Sequence, residues 1–241
     1  MSTVDEVQRH VVRGLLRGEF APGSWLRQDE LATRIGVSRV PVREGLQRLA
    51  GLGLVRFEPN RGAVVPELTA ADAIETYALR RGIEPRLLDQ ALPRLSIVDL
   101  AEAELALEPH EVAASPPDGA GRSSGDLEDG PVRGSPDVAA DGPVSGLSPT
   151  EANWAFHRAL YRAAGWQRGL AMVEILHAAV APYVLLYTRK LGGAATSHAE
   201  HVELLAACRA RDRERAQATL ADHLDHAETA LVDWLRRDHG D

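Results

Sequence analysis

Asn153 and His157 stand one helical turn apart in the run NWAFH, so on a helix both side chains leave the same face. His201 and His223 lie on two later segments, residues 198–210 and 212–234, that also have helical spacing. Neutral imidazole is the commonest ligand for transition metals. Three histidines and one oxygen donor, carried into a bundle on three helices, are a donor set for a divalent ion. The competing reading is that each histidine is a surface or hydrogen-bonded residue, and in a chain with nine histidines spacing alone leaves both open. A second pair with chemical potential is Arg39 and Arg43, one turn apart near the start of another helix. Arginine there suits bidentate pairing with guanine and contact with phosphate.

The elements that must position Arg39 and Arg43 are compressed into residues 28–65. Leu31, Ala32 and Ile35 give helical apolar spacing, Gly36 supplies a tight turn, and Ser38 is the N-cap candidate for the next helix. Pro41 falls in that helix's first turn, where its missing N–H costs nothing, and Glu44 adds favourable charge near the N-terminus. Residues 54–57 and 63–65 are β-rich, and the intervening Glu58-Pro59-Asn60-Arg61-Gly62 is turn chemistry with Arg61 at the tip. The outline is a winged helix-turn-helix. A small α/β cap with merely solvated arginines is the alternative.

Residues 4–16 read as a first amphipathic helix, with Val7, Val11, Val12, Leu15 and Leu16 inward and Arg9, Arg13 and Arg17 available to a DNA backbone. The net charge of −8 hides a division. Residues 1–66 carry a net +3 and residues 67–241 a net −11, so positive potential is local to the first part. Lys190 is the single lysine, and arginine must supply most phosphate contacts. A single cysteine, Cys208, excludes an intrachain disulfide and reads as a small core residue. Polar Ser2, Thr3, Asp5 and Glu6 open the chain, and no run reads as long enough to span a membrane, so the expected location is cytoplasmic.

Beyond the wing the texture turns to long helices. One begins near Thr69 and runs toward Leu92, with Pro85 expected to kink or interrupt it. Residues 96–107 form another, capped by Ser96. About half of residues 109–149 are Pro, Gly or Ser, which predicts a disordered excursion between two helices of one domain. Order resumes at Ser148-Pro149-Thr150-Glu151. The expected fold class is mainly α: a winged helix-turn-helix over residues 1–66 and an all-helical antiparallel bundle over 67–241.

Residues 5–66 closely resemble the DNA-binding domain of the GntR family of bacterial transcription regulators, through GVSRVPVREGLQRL at 36–49 and the glycine-tipped wing. Gly45 replaces the family's usual Ala, a weakening of about 1 kcal/mol for an exposed helix position. The opening motif at residues 26–31 is a loose version of the family's. The resemblance implies DNA contacts from Arg9, Arg27, Ser38, Arg39, Arg43, Arg61 and Gly62. Leu79-Arg80-x-x-Ile83-Glu84, Asn153-x-x-Phe156-His157-x-x-Leu160, Glu200-His201-x-x-Leu204-Leu205-x-Ala207 and the later Ala216 to Leu224 run resemble the helical effector domain of the FadR subfamily, the FCD domain. Members with these histidines bind a divalent metal, commonly zinc or nickel, through Asp or Asn and three His. That implies Asn153, His157, His201 and His223 here, with Asn removing the negative charge of the more frequent Asp. His198 and His226 each lie one turn from an implied ligand and are expected to face solvent.

The same resemblance implies a small metabolite, often a carboxylate, bound beside the metal and altering the grip of a homodimer on a palindromic operator. Arg80 is the first candidate to pair with that carboxylate, and an ion pair with Glu84 one turn on is its structural alternative. Arg158 and Arg162 are further candidates. Tyr183 and Tyr187 either line the cavity or pack in the core. Two other classes compete: a metal-dependent hydrolase built on the histidines, against which the chain has no HExxH, and a structural bundle with a vestigial winged helix.

Overall fold

The computed structural model describes residues 2–59, 61–108, 147–191 and 194–239. It opens with helix α1 (Thr3–Arg17), which starts in a capping box between Ser2 and Asp5 and ends at Gly18 in the left-handed conformation. Strand β1 (Trp25–Leu26), helix α2 (Gln28–Ile35) and helix α3 (Arg39–Gly51) follow, then strands β2 (Arg56–Glu58) and β3 (Gly62–Val64). β3 pairs antiparallel with β2, as the hairpin reading requires, and also with β1, giving a three-stranded sheet in the order β1-β3-β2. β1 is too short to carry a period, so the sequence does not announce it. Val7, Val11, Val42, Leu46, Leu49 and Ala63 fill the core of this winged helix-turn-helix.

Two expectations change here. Ser38 occupies the N-cap position of α3, but its side chain makes no capping hydrogen bond. Gly45 is buried rather than exposed, and a Cβ there would stand 2.7 Å from Val7 Cγ1. Its absence lets α1 and α3 approach, so the glycine is a packing residue.

The rest is helical: α4 (Ala70–Ala91), α5 (Ile97–Leu105), α6 (Pro149–Tyr161), α7 (Gln167–Leu191), α8 (Ala194–Ala210) and α9 (Arg213–His239), with 3₁₀ turns at Leu92–Arg94 and Arg162–Ala164. Capping boxes start α4 at Thr69, α5 at Ser96 and α6 at Ser148. α4 runs unbroken through Pro85, against the expected interruption. It packs along α9 and α7, and this tertiary packing holds the helix past the missing donor; Gln217 on α9 adds a hydrogen bond to the Pro85 carbonyl at 2.8 Å. The expected disordered excursion at 109–149 falls, apart from residues 147–149, outside the described residues.

By length and composition Gln167–Leu185 is apolar enough to cross a membrane, with a mean hydropathy of 1.3, contrary to the sequence reading. In the fold this stretch packs against α1, α4, α6 and α9 and carries the buried His177, as a core helix does.

The two parts are bolted together at the C-terminus of α1. Thr150 Oγ1 and Ser148 Oγ both donate to the Leu16 carbonyl, and Arg17 pairs with Glu151 at 2.7 Å. Gly18 abuts Leu185 of α7 so closely that a Cβ would overlap it. Tyr183 Oη donates to the Pro66 carbonyl at 2.8 Å and accepts from the Leu68 amide, clamping the chain where it leaves the sheet.

Candidate functional site

Helices α6, α8 and α9 bring His157, His201 and His223 together, with one ring nitrogen of each within 4.8 Å of the others. All three are buried. The hydrogen bonds fix the tautomers of two of them. Tyr161 Oη donates to Glu84 Oε2 at 2.8 Å, so its oxygen accepts from His157 Nδ1–H at 3.1 Å and the lone pair falls on His157 Nε2. Likewise His223 Nδ1–H donates to Glu200 Oε2 at 2.8 Å, leaving the lone pair on Nε2, which lies 3.3 Å from His201 Nε2. His157 Nε2 is buried with no hydrogen-bond partner among the described residues.

An orphaned imidazole lone pair beside two more imidazole nitrogens is what a divalent metal satisfies, and carboxylate or hydroxyl partners on the outer nitrogens are the usual support of metal-bound histidine. Burial, then mutual repulsion with the neighbouring histidines, holds His157 and His201 well below the usual histidine range, so both are neutral and ligand-ready at pH 7. The residues present therefore fit a transition metal.

Asn153 lies on the same face of α6, half-buried, with its amide 3.4 Å from His177 Nδ1. His177 is the site residue that the sequence reading missed. Its signal was a lone polar residue inside the apolar run at 175–181. Arg80 donates to its Nε2 at 3.0 Å, so the neutral ring carries its proton on Nδ1, which faces Asn153 Nδ2 at 3.4 Å and gains an acceptor only if the amide turns its oxygen to the ring. Burial, then Arg80, pushes His177 down to about 4.

Arg80 is 3% exposed and pairs with the fully buried Glu84 at 2.6 Å, so the structural alternative for this arginine is realised. Burial alone would raise the Glu84 carboxyl, but Arg80 and His177 outweigh it and hold the group ionised far below the carboxylate range. Arg80 also borders a cavity of about 90 Å³ together with Asn153, His177, Glu200 and His223. Tyr183 does not border it. Its hydroxyl is committed to Pro66 and Leu68, in line with the packing alternative for this residue. Arg162 is tied to Asp99 and Glu102, and Arg158 is exposed away from the cavity. His198 is exposed, and His226 is exposed while bonded to Glu200 at 2.6 Å. The side chain of Tyr187 lies outside the described residues.

On the winged helix, Arg27, Arg39, Arg43 and Arg61 surround one groove of about 770 Å³, with Trp25 on its wall. Arg39 is ion-paired there with Asp29. Arg9 is exposed on α1, and neither it nor Ser38 borders the groove. Gly62 is buried with φ of 119°, and a Cβ would sit 2.4 Å from the Leu26 carbonyl, so the glycine lets β3 approach β1.

The model of the bacterial regulatory proteins of the gntR family matches residues 3–65, and that of the FCD domain matches residues 138–226. An uncharacterized HTH-type transcriptional regulator from the TAR-I ttuE-ttuC' intergenic region of Agrobacterium vitis is 35% identical over 37% of this chain and 51% of its own. The HTH-type transcriptional regulator McbR of Escherichia coli is 26% identical over 96% of this chain and 94% of its own. The solved structure of E. coli McbR/YncC shares the fold over 97% of this chain and 99% of that one, at a TM-score of 0.73 and 22% identity. The chain spans about half the length of the first of these relatives, and 31% and 44% of the length of two others.

Fold and site thus define a winged helix-turn-helix joined to a helical FCD domain. Residues 3–65 are a winged helix-turn-helix of the gntR family type and residues 138–226 fall in an FCD domain, the pairing of a bacterial regulatory protein. That family and these relatives are regulators rather than enzymes, and Glu200, the carboxylate beside the cluster, is held by His223 and His226. The hydrolase reading therefore falls.

Proposed function

We propose that this chain is a transcription repressor of the cytoplasm that binds a palindromic operator as a homodimer and is controlled by a small organic acid held beside a divalent metal. The reading divides the chain into a DNA-binding domain at 1–66 and an effector and dimerisation domain at 67–241. The observation that carries it is the orphaned His157 Nε2, facing His201 and His223, the last of which also lines a cavity bordered by Arg80.

His157, His201 and His223 would hold the metal, zinc or nickel, with Asn153 as the oxygen donor on the same face of α6. Bound there, the ion supplies positive charge and an acceptor position for a carboxylate. This charge matters because Arg80 is already neutralised by Glu84, and His177 is neutral. The cavity's own residues therefore give a buried carboxylate hydrogen bonds but little net charge to offset its desolvation. At the other end of the chain, Arg27, Arg39, Arg43 and Arg61 form the cationic face that receives DNA, with α3 as the recognition helix.

Regulation requires the acid to bind the DNA-competent and incompetent arrangements with different affinity, since equal binding moves nothing. The test is operator affinity of the zinc-loaded protein, measured with and without a panel of carboxylates. Weakening by at least one acid, absent in the chelated protein, is the expected result. Indifference of DNA binding to both metal and acids contradicts the reading.

A further inference from the structure

The cavity has two chemically different ends. One is the polar cluster of Arg80, Asn153, His177 and His223. The other is mainly aliphatic, lined by Val180 and Val184 of α7, by Ala227 and Leu231 of α9, and by Leu16, with Thr150 bonded to the Leu16 carbonyl beside it. Leu16 is the unexpected member, because it belongs to α1 of the winged helix and not to the bundle. Exposed Thr196 and His226 border the same space and place its opening on the α8 and α9 side.

Leu16 is also mechanically committed. Its carbonyl accepts from Thr150 and Ser148 at the start of the helix that carries Asn153 and His157, and Arg17 beside it pairs with Glu151. α1 packs against α3, the helix that carries Arg39 and Arg43. A ligand that touches Leu16 therefore presses on the element that supports the DNA-contacting helix, with no intermediate layer.

We infer that the effector is a short-chain monocarboxylate with an unsubstituted aliphatic body, whose tail is read by Leu16 and so reports occupancy directly to the winged helix. This rests on the metal and carboxylate reading above. Sugar acids and dicarboxylates fit the aliphatic end poorly, because Thr150 beside Leu16 already gives its hydroxyl proton to the Leu16 carbonyl and offers only an acceptor lone pair, too little for the several hydroxyls of a sugar acid or for a second carboxylate. Each methylene laid against that end removes apolar surface from water, which predicts roughly three- to fourfold tighter binding per carbon until the wall is reached.

The experiment is calorimetric titration of the zinc-loaded full chain with acetate, butanoate, hexanoate and octanoate, and with 6-hydroxyhexanoate, adipate and gluconate as polar controls. The expected result is affinity that climbs with length to an optimum, with the three polar controls far weaker. Val184→Leu should move the optimum to a shorter acid and Leu16→Ala to a longer one, and the first keeps the test intact if the second fails to fold. Hydrogen exchange at the amides of residues 15–19 should slow with the optimal acid but not with acetate. Binding that ignores chain length and accepts 6-hydroxyhexanoate equally overturns this inference while leaving the carboxylate reading in place. Failure of every acid to bind overturns both.

Discussion

His201 Nε2 and His223 Nε2 face each other across 3.3 Å, and the lone pair of His157 Nε2 is directed at the same space with nothing to receive it. An unsatisfied buried nitrogen costs about 1–3 kcal/mol, so the metal-free protein carries a penalty that an ion removes. Chelation should lower the melting temperature, and restoring zinc at a hundredfold excess over its dissociation constant should return about 2.7 kcal/mol. Metal content by plasma emission and a melt on the same samples check this. Equal stability with and without bound ion would contradict it.

Tyr161 fixes His157 by accepting its Nδ1 proton and passing its own to Glu84. Tyr161→Phe removes that acceptor and frees the ring to take the wrong tautomer. Zinc affinity should fall by about ten- to a hundredfold. Competition against a chromophoric chelator measures it, and an unchanged affinity would show that the tautomer is set elsewhere.

Gly45→Ala sets two effects against each other. Helix propensity favours Ala by about 1 kcal/mol, while overpacking against a rigid core residue costs about 1–3 kcal/mol. The new Cβ would meet Val7, a fully buried β-branched side chain with little room to yield, at 2.7 Å. Net destabilisation in urea is therefore expected. Stabilisation would mean that α1 shifts freely.

Tyr183 clamps Pro66 and Leu68, and Tyr183→Phe should cost about 1 kcal/mol for the lost hydrogen bonding. Burial pushes this phenol up to about 12, from about 10 in the unfolded chain. The folded state thus keeps a proton that the unfolded state releases. The contribution is complete below pH 10 and is lost as pH rises toward 12. Denaturation curves of wild type and Tyr183→Phe should converge across that window, and a constant gap would refute the assignment.

Asp29 sits in the arginine groove paired with Arg39. An incoming phosphate must displace it, so Asp29→Asn should raise DNA affinity several-fold at low salt, with the gain shrinking as salt rises. Anisotropy titrations at two salt concentrations distinguish this from an unchanged or weakened grip.

Much of this architecture is legible in the chain because it rests on local rules. Gly36, the α3 sequence and the hairpin turn announce the winged helix, and Ser96 and Ser148 cap where capping residues should. What escaped is what only tertiary packing decides. β1 is two residues long and exists because β3 offers it a ladder. Gly45 reads as a weakened helix position and Gly62 as a turn residue, yet both make room for a neighbour. His177 hid in an apolar run, and its partners Arg80 and Asn153 are far away in sequence. Tyr183 lies on the apolar helix that lines the cavity, but it turns toward the wing.

The central claim is that this chain reads DNA through Arg39 and Arg43. It is tested most directly by selecting bound duplexes from a random pool with the zinc-loaded protein, beside an Arg39→Ala/Arg43→Ala variant at one fixed salt concentration. Enrichment of a short palindrome by wild type and not by the variant is the predicted result. Enrichment of the same sequence by both, or of none by protein stripped of bound small molecules, would contradict the account.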